Sequence, residues 1–347
     1  MASAYNRDLR IRHANNLPID YSSICPRGWF NKRELTADVA SGLMGLRRPF
    51  YGRLQDPAIA GFKNTTPDVI FVHEGHYAAA SLPNWRQAMS EALLILYIHN
   101  PLSRSYSHRE AQRLLSAADG LIFVSQEALN REESRFGPFP PSAVVHNGVD
   151  HNLFYPSPTA TKSLDDPLTI TYVGQIAPHK GVHLLLEAVG ASKLKGASVQ
   201  VIGSAEHQPD RALSTYEQSL RKLALQHALN VTWTPFVPQA EVAAALRATD
   251  IVCVPSVWQE PFGMVALEAM ASGAAVVASN RGGLPEACGG AAILIDPENI
   301  QEFAVALDQC SDPQQLAAHK LKSLERAQSA NWSSTYDQLL TAIQAWA

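Results

Sequence analysis

Short, almost entirely apolar runs recur along the chain, and each is followed by polar residues and then by a stretch with helical periodicity. Such runs lie at 68–72, 93–98, 120–124, 143–145, 168–173, 198–202, 231–233, 250–254, 274–278 and 292–295. Strands that are covered by helices on both faces have this near-continuous hydrophobicity. The alternation therefore predicts an α/β fold built on parallel, doubly wound sheets.

The length and one composition break predict two domains. A chain of 347 residues is long for a single core. Residues 151–168 are rich in Pro, Ser, Thr and Asp and lack periodicity, as expected of a connection between domains. We predict an amino-terminal domain over 1–155, a linker over 156–168, a second domain over 169–330 and a final helix over 331–347.

The charge balance excludes nucleic acid as an expected partner, because 28 Lys and Arg against 32 Asp and Glu give no bulk positive field. The first 53 residues are basic, with nine Lys and Arg, Arg48 among them, against four acids. This edge could contact an anionic membrane, or it could be a solvated rim. The cysteines are scattered, and the sequence has neither the apolar core of a signal peptide nor an apolar run long enough to span a bilayer. These features predict a cytoplasmic protein that is at most peripheral to the membrane.

Several common catalytic motifs are missing. The sequence has no Walker loop, no Gly-x-Gly-x-x-Gly fingerprint and no Gly-x-Ser-x-Gly elbow, which disfavours nucleoside triphosphatases, dehydrogenases and α/β-hydrolases. His73 and His76 are separated by two residues, not by the three of a zinc-protease helix. We therefore predict that the protein needs neither a metal nor another cofactor.

The most informative segment is 255–273, PSVWQEPFGMVALEAMASG. A strand ends at Pro255, and a helix begins near Gly263, so the first turn of that helix offers backbone N–H groups to an anion or a hydroxyl. Glu260 lies in the loop and Glu268 about two turns into the helix. Glu260 could bind a sugar hydroxyl and Glu268 a ribose diol. Alternatively, Glu260 only caps the helix and Glu268 is a solvated residue.

A second loop, 173–181 (VGQIAPHKG), also joins a strand to a helix. Lys180 stands at the helix N-terminus, where a cation is poorly placed for the helix dipole. A bound diphosphate would remove that conflict, and Gln175 could donate a hydrogen bond from the same loop. The alternative is an exposed lysine tolerated at a modest cost.

Several segments in order resemble the glycosyltransferases of family four, which retain the anomeric configuration and have the GT-B fold. In the second half they are VGQIAPHKGVHLLLEAV, FVPQAEVAAALRATDIVCVPS, EPFGMVALEAMASGAAVVAS and NRGGLPE, and in the first half PDVIFVH, LILYIHNP, ADGLIFVS and VVHNGVD. The resemblance covers roughly residues 65–345. It implies two Rossmann-like doubly wound domains that face a central cleft, and a final helix over 331–347 that crosses back to the first domain.

The resemblance also implies roles for individual residues. Glu260 looks like the acid that holds the donor sugar, and Glu268 looks like the acid that binds the nucleotide ribose. Lys180 matches the residue that neutralises the diphosphate, and His99 matches a histidine that bonds the donor sugar, although His99 could simply satisfy the end of its strand. The remaining donor-binding positions are Gly174 and Gln175 in the first loop, Val237 near the base, and the amides of Phe262, Gly263, Met264 and Val265.

Two departures from the family pattern stand out. Gln175 replaces the usual arginine, which removes a charge from the diphosphate site unless Arg281 or Arg104 substitutes. The family's opening strand, Gly-rich loop and long helix are not recognisable before Leu9–Ser23. We therefore expect a shortened amino-terminal domain.

The family resemblance, together with these patterns, implies a hexosyl-type glycosyltransferase, and the retention, the donor nucleotide and the proton transfer given next are what the resemblance implies. It would move a sugar from a nucleotide diphosphate, UDP more readily than GDP, to a hydroxyl of a carbohydrate, lipid-linked or small-molecule acceptor with retention, in the synthesis of a polysaccharide, glycolipid or other glycoconjugate. The acceptor hydroxyl would pass its proton to the leaving phosphate. Two alternatives stay open: a catalytically weak nucleotide-sugar-binding subunit, and an epimerase or phosphorylase of the same fold.

Overall fold

The computed structural model describes residues 32–44, 46, 48, 56–62, 66–74, 78–157, 166–194, 196–205 and 212–346. The expected departure around Leu9–Ser23 lies outside these residues. So do most of the basic residues before position 54. Arg48 is described, and it is not part of a basic edge: it is buried, and its Nε donates to Glu110 Oε1 at 2.6 Å. A guanidinium with a buried carboxylate partner is stabilised inside the domain, so Arg48 does not contribute to a surface patch.

Contacts between Cα atoms divide the chain into two compact units. One unit is formed by His146–Thr335. The other contains the described residues up to Val145 and the end of the chain from Tyr336. The predicted linker over 156–168 falls partly on residues 158–165, which lie outside the described residues, so the predicted domain boundaries stay predictions.

The amino-terminal unit contains a parallel sheet in the order β1-β2-β3-β4. Its strands are β1 Val69–Glu74, β2 Leu93–Ile98, β3 Gly120–Phe123 and β4 Ser142–Val144. Its described helices are α1 Lys32–Leu43, α2 Asp56–Phe62, α3 Leu82–Ala88, α4 His108–Leu115 and α5 Gln126–Phe136. The side chains of Ser107 and Ser125 accept hydrogen bonds from the first turns of α4 and α5, which fixes where these helices begin.

The carboxyl-terminal unit contains a six-stranded parallel sheet. Its strands are β5 Thr169–Val173, β6 Ser198–Ile202, β7 Asn230–Thr234, β8 Ile251–Val254, β9 Ala275–Ser279 and β10 Ile293–Ile295. Its helices are α6 Val182–Ala191, α7 Thr215–Gln226, α8 Gln239–Arg247, α9 Met264–Ala271, α10 Leu284–Cys288, α11 Ile300–Gln309 and α12 Pro313–Ser329. A last helix, α13 Trp332–Trp346, carries the chain into the amino-terminal unit, where the Trp346 ring lies against Gly120.

The strand order of the second sheet, β10-β9-β8-β5-β6-β7, is the doubly wound order of nucleotide-binding folds. The order reverses between β5 and β8, which are neighbours in the sheet although about 80 residues separate them in the chain. In doubly wound folds, ligands bind outside the carboxyl ends of the strands at such a switch point. The strands that carry the two candidate loops are therefore the two strands at the switch point.

The two loops approach closely enough that one position must be glycine. Gly181, at the start of α6, has a φ of 74°, and a Cβ atom there would lie 2.0 Å from the carbonyl oxygen of Pro255. Glycine meets both conditions because it lacks a Cβ and adopts positive φ without strain.

We expect Gly181→Ala to destabilise the protein by about 2 kcal/mol, lowering the melting temperature by about 5 °C. The matched control is Gly196→Ala, because nothing lies within 4 Å of a Cβ at Gly196. Differential scanning fluorimetry of the two variants and the wild type tests this. Equal melting temperatures for all three proteins would show that the loops do not pack as described.

Candidate functional site

The centre of the site is a contact between the two loops at the switch point. Lys180 Nζ donates to Glu260 Oε1 at 2.6 Å. The ammonium also lies 5.0 Å from the centre of the Trp258 ring, a cation–π distance. The backbone N–H of Val257 donates to the carbonyl of His179 at 2.9 Å, which ties the loops together beside the ion pair. The sequence places Lys180 and Glu260 in separate loops, and the fold brings them into contact.

Glu260 is largely buried and accepts two short hydrogen bonds on the same oxygen. Ser256 Oγ donates to Glu260 Oε1 at 2.6 Å, in addition to the bond from Lys180. The backbone of Glu260 is held by a third loop, because the N–H of Gly283 donates to its carbonyl at 2.7 Å. Glu260 is therefore part of a fixed hydrogen-bonded network rather than a helix cap, and neither donor is a backbone amide of α9.

The first turn of α9 begins at Met264, four residues after Glu260. Gly263 has a φ of 113°, and a Cβ there would lie 2.4 Å from Leu284. The amides of Met264 and Val265 belong to the first turn, which has no intrahelical acceptor for its N–H groups. Phe262 is buried, and its ring stacks on His146 with 5.6 Å between the ring centres. The turn of helix predicted to bind donor oxygens is thus adjacent to the Lys180–Glu260 pair.

Glu268 lies on the same helix and is half-buried, not solvated. Its Oε1 accepts from Gln239 Nε2 at 3.4 Å, and burial raises the pKa of Glu268 to about 7. Gln239 opens α8, two residues after Val237, the position expected to contact the base. The loop before α8 and the second acid of the motif are therefore neighbours.

Gln175 is engaged with its own surroundings. Its side-chain nitrogen donates to the backbone carbonyl of Ala205 at 2.8 Å, and its own backbone carbonyl accepts from the Tyr172 hydroxyl at 2.8 Å. The preceding Gly174 has a φ of 152° and lies close to Gly203, where a Cβ would meet the Gly174 carbonyl at 1.9 Å. One N–H of the Gln175 amide is therefore engaged, and a diphosphate could accept only from the other.

Arg281 was considered above as a substitute for the missing arginine at position 175, but it pairs with other carboxylates. Its guanidinium lies 2.7 Å from Asp296 Oδ1 and 2.7 Å from Glu298 Oε2, and it donates to the Val257 carbonyl at 2.8 Å. These carboxylates raise the pKa of Arg281 above its usual value. Arg281 therefore fixes the backbone of the Glu260 loop, and its charge is already balanced.

His99 follows β2 in the amino-terminal unit. Its Nε2 lies 2.8 Å from His73 Nδ1, and its ring stacks on Tyr97 at 4.4 Å between centres. Burial, with repulsion from His73, lowers the pKa of His99 to about 3. The ring is thus neutral near pH 7, and its Nδ1 is the nitrogen that remains for a further partner. The sequence did not single out His73 as the partner, although His73 lies near the end of β1 and His99 follows the neighbouring strand β2.

A small cavity lies at the carboxyl edge of β6 and β7. Its volume is about 150 Å³, and Ser204, Arg221, Trp233 and Thr234 are among its lining residues. Ser204 Oγ is buried and has no hydrogen-bond partner within the described part of the chain. Over the same described ranges, no cluster of three or more His, Cys, Asp or Glu side chains is arranged to hold a metal ion, and none of the helices is long and apolar enough to cross a membrane.

Comparison with known proteins identifies the class. Residues 158–325 match the profile described as Glycosyl transferases group 1, and residues 20–153 match Glycosyltransferase Family 4. Together the two matches cover most of the sequence. The chain belongs to the family-four glycosyltransferases.

Individual relatives agree with this assignment. The chain is 35% identical over 251 residues to a D-inositol 3-phosphate glycosyltransferase of Mycolicibacterium smegmatis, covering 67% of this chain and 54% of the relative. It is 31% identical over 241 residues to the protein of that name from Mycobacteroides abscessus, covering 67% and 53%. The chain thus spans about half the length of the curated relatives it matches.

Solved structures confirm the expected GT-B fold. Sucrose-phosphate synthase from Thermosynechococcus elongatus superposes with a TM-score of 0.70 at 22% identity, covering 87% of this chain and 81% of that one. HepE from Anabaena, in complex with UDP and glucose, superposes with a TM-score of 0.68 at 21% identity, covering 86% and 84%.

We expect the stability difference between Glu268→Gln and the wild type to depend on pH. The folded pKa of about 7 lies above the ordinary value of 4.5. The unfolded chain therefore ionises first as the pH rises, and the wild type loses up to about 2 kcal/mol between pH 4.5 and 7. Glu268→Gln does not lose this stability, because glutamine does not ionise.

Melting temperatures measured at pH 5 and pH 8 test this expectation. The melting temperature of Glu268→Gln, relative to that of the wild type, should be higher at pH 8 than at pH 5. The control is Glu241→Gln, because Glu241 is exposed on α8. A difference that does not change with pH would mean that Glu268 is solvated.

Proposed function

We propose that this protein transfers a sugar from a nucleotide diphosphate to a hydroxyl acceptor with retention of the anomeric configuration. The observation that carries the proposal is the Lys180–Glu260 contact at the switch point of the carboxyl-terminal sheet, beside the first turn of α9. A cation and helix N–H groups form an anion site. A carboxylate next to that site accepts hydrogen bonds from hydroxyls. A nucleoside diphosphate joined to a sugar would present its phosphates to the anion site and the hydroxyls of its sugar to the carboxylate.

Departure of the diphosphate is the difficult step, so positive potential on its oxygens is the main contribution that the site can make. Lys180 has three N–H donors and gives one to Glu260, which leaves two for phosphate oxygens. The amides of Gly263, Met264 and Val265 add to this potential. These groups would replace a metal ion, so we propose that transfer is metal-independent.

Two carboxylates would hold the rest of the donor. Glu260 would bind hydroxyls of the sugar and Glu268 the ribose diol, for which Glu268 must lose its proton and exchange its bond from Gln239 for bonds from the diol. His99 would bond the donor sugar through Nδ1, as the family resemblance implies. The acceptor hydroxyl would give its proton to the leaving phosphate, so a separate protein base is not needed.

UDP is the first choice of donor nucleotide and GDP the second. One solved neighbour, HepE, was crystallised both with UDP and glucose and with UDP-glucose. The curated relatives are named for D-inositol 3-phosphate, which makes that compound the first acceptor to try, beside carbohydrates and lipid-linked sugars.

A thermal-shift screen against UDP, GDP, UDP-glucose and GDP-mannose tests the proposal, because a ligand stabilises the folded state according to its affinity. Transfer to the acceptor panel, with and without EDTA, then tests the reaction. Stabilisation by one nucleotide series with EDTA-resistant transfer supports the proposal. If the protein binds a nucleotide sugar but transfers to no acceptor, a binding subunit is favoured. If it converts the donor when no acceptor is present, an epimerase is favoured. If no nucleotide stabilises it, the proposal is contradicted.

We expect Lys180→Ala and Glu260→Ala to impair different steps. Lys180→Ala should weaken binding of the nucleoside diphosphate and slow transfer about 100-fold, because it removes charge from the leaving group. Glu260→Ala should abolish transfer with little change in nucleotide affinity.

Isothermal titration calorimetry and initial rates separate these effects. The controls are Lys222→Ala on α7 and Glu325→Ala on α12, both of which are exposed. Undiminished transfer by Lys180→Ala, or equal losses of nucleotide binding in both variants, would contradict the assigned roles.

A further inference from the structure

We propose that Ser256 is a positioning residue, which holds one oxygen of Glu260 so that the other oxygen faces the donor sugar. The inference rests on the proposed donor site and adds a residue to it. Ser256 is the second residue after β8 and is almost completely buried. Its hydroxyl is bonded to Glu260 and could not reach a ligand without breaking that bond.

The two oxygens of the Glu260 carboxylate have different surroundings. Oε1 accepts from both Ser256 Oγ and Lys180 Nζ, each at 2.6 Å. Oε2 has no hydrogen bond within the described ranges of the chain. A carboxylate oxygen accepts up to two hydrogen bonds, so Oε1 is saturated and a sugar hydroxyl would be directed to Oε2. The two donors therefore select the orientation of the carboxylate.

Ser256 is itself held from the neighbouring strand. Ser279, the last residue of β9, is buried and donates to the Ser256 carbonyl at 2.7 Å and to the Val254 carbonyl at 3.2 Å. At the other end of the same loop, the N–H of Gly283 fixes the Glu260 carbonyl. The backbone on both sides of the Ser256–Glu260 hydrogen bond is thus anchored to the segment that follows β9, and the bond forms without ordering a flexible loop.

A second donor to Oε1 is needed because Lys180 serves two anions. When a diphosphate binds, the ammonium must divide its hydrogen bonds between phosphate oxygens and Glu260, and its attraction to Glu260 is reduced. A neutral hydroxyl has no attraction to the diphosphate that competes with its bond to Glu260. Ser256 would therefore keep Glu260 in place while Lys180 turns toward the phosphates.

The experiment compares nucleotide with nucleotide sugar, because Glu260 is expected to touch only the sugar. The probes are UDP and UDP-glucose, or GDP and GDP-mannose where the guanosine pair stabilises the protein more. In Ser256→Ala we expect nucleotide affinity within twofold of wild type. The ratio of nucleotide-sugar to nucleotide affinity should fall about five- to tenfold, because a charge-assisted hydrogen bond that orients the carboxylate is lost.

A double-mutant cycle with Glu260→Ala makes the test specific for a positioning role. If Ser256 acts through Glu260, adding Ser256→Ala to Glu260→Ala leaves the affinity ratio unchanged. The control is Ser323→Ala on α12, because Ser323 is equally buried and its hydroxyl has no partner among the described residues. That variant should bind both ligands as the wild type does.

The outcomes separate the inference from the function on which it rests. Wild-type protein that binds neither nucleotide pair would contradict the proposed function itself. If the wild type binds, three results would each overturn the role of Ser256. They are an unchanged affinity ratio in Ser256→Ala, a further fall of that ratio when Ser256→Ala is added to Glu260→Ala, and a loss of nucleotide affinity that parallels the loss of nucleotide-sugar affinity. Melting temperatures of all variants, measured without ligand, show whether a loss of binding reflects a loss of folded protein.

Discussion

The ion pair between Lys180 and Glu260 depends on a single feature of topology, the reversal of strand order between β5 and β8. Parallel strands end at the same edge of a sheet, so the loops after neighbouring strands meet. The same reversal therefore brings two opposite charges together, a lysine from one loop and a carboxylate from the other.

The close approach of these loops imposes the glycines around them. Gly181 passes the Pro255 carbonyl, and Gly282 lies where a Cβ would meet the backbone of Glu260 at 2.3 Å. Arg281, between the β9 strand and Gly282, joins the Glu260 loop to Asp296 and Glu298. Packing and ion pairing thus fix the backbone of the Glu260 loop from two sides before any ligand is present. A preorganised site of this kind loses little free energy to reorganisation when the donor binds.

The sequence predicted the strands well because each is a continuous apolar run, and the predicted and observed bounds agree for 93–98 and 198–202. Glu260 and Lys180 were singled out by their positions beside helix starts, and their roles stay predictions. Contacts between loops could not be predicted in this way, because the order of strands in a sheet is not written in any one of them. Ser256 and His73 were missed for that reason. Arg48 was misjudged as a surface charge because its partner, Glu110, lies 62 residues away.

The replacement of arginine by Gln175 changes how the charge of the site is balanced. Gln175 donates to Ala205, and Arg281 is neutralised by two carboxylates, so neither adds free positive charge. In the donor complex proposed above, Lys180 would serve both Glu260 and a diphosphate. A single ammonium shared between two anions holds each less firmly than a dedicated cation would, because its hydrogen bonds are divided. Neutral donors gain importance in such a site: the amides at the start of α9 for the phosphates, and the hydroxyl of Ser256 for the carboxylate. The site is thus organised around hydrogen bonds that do not compete for the same charge.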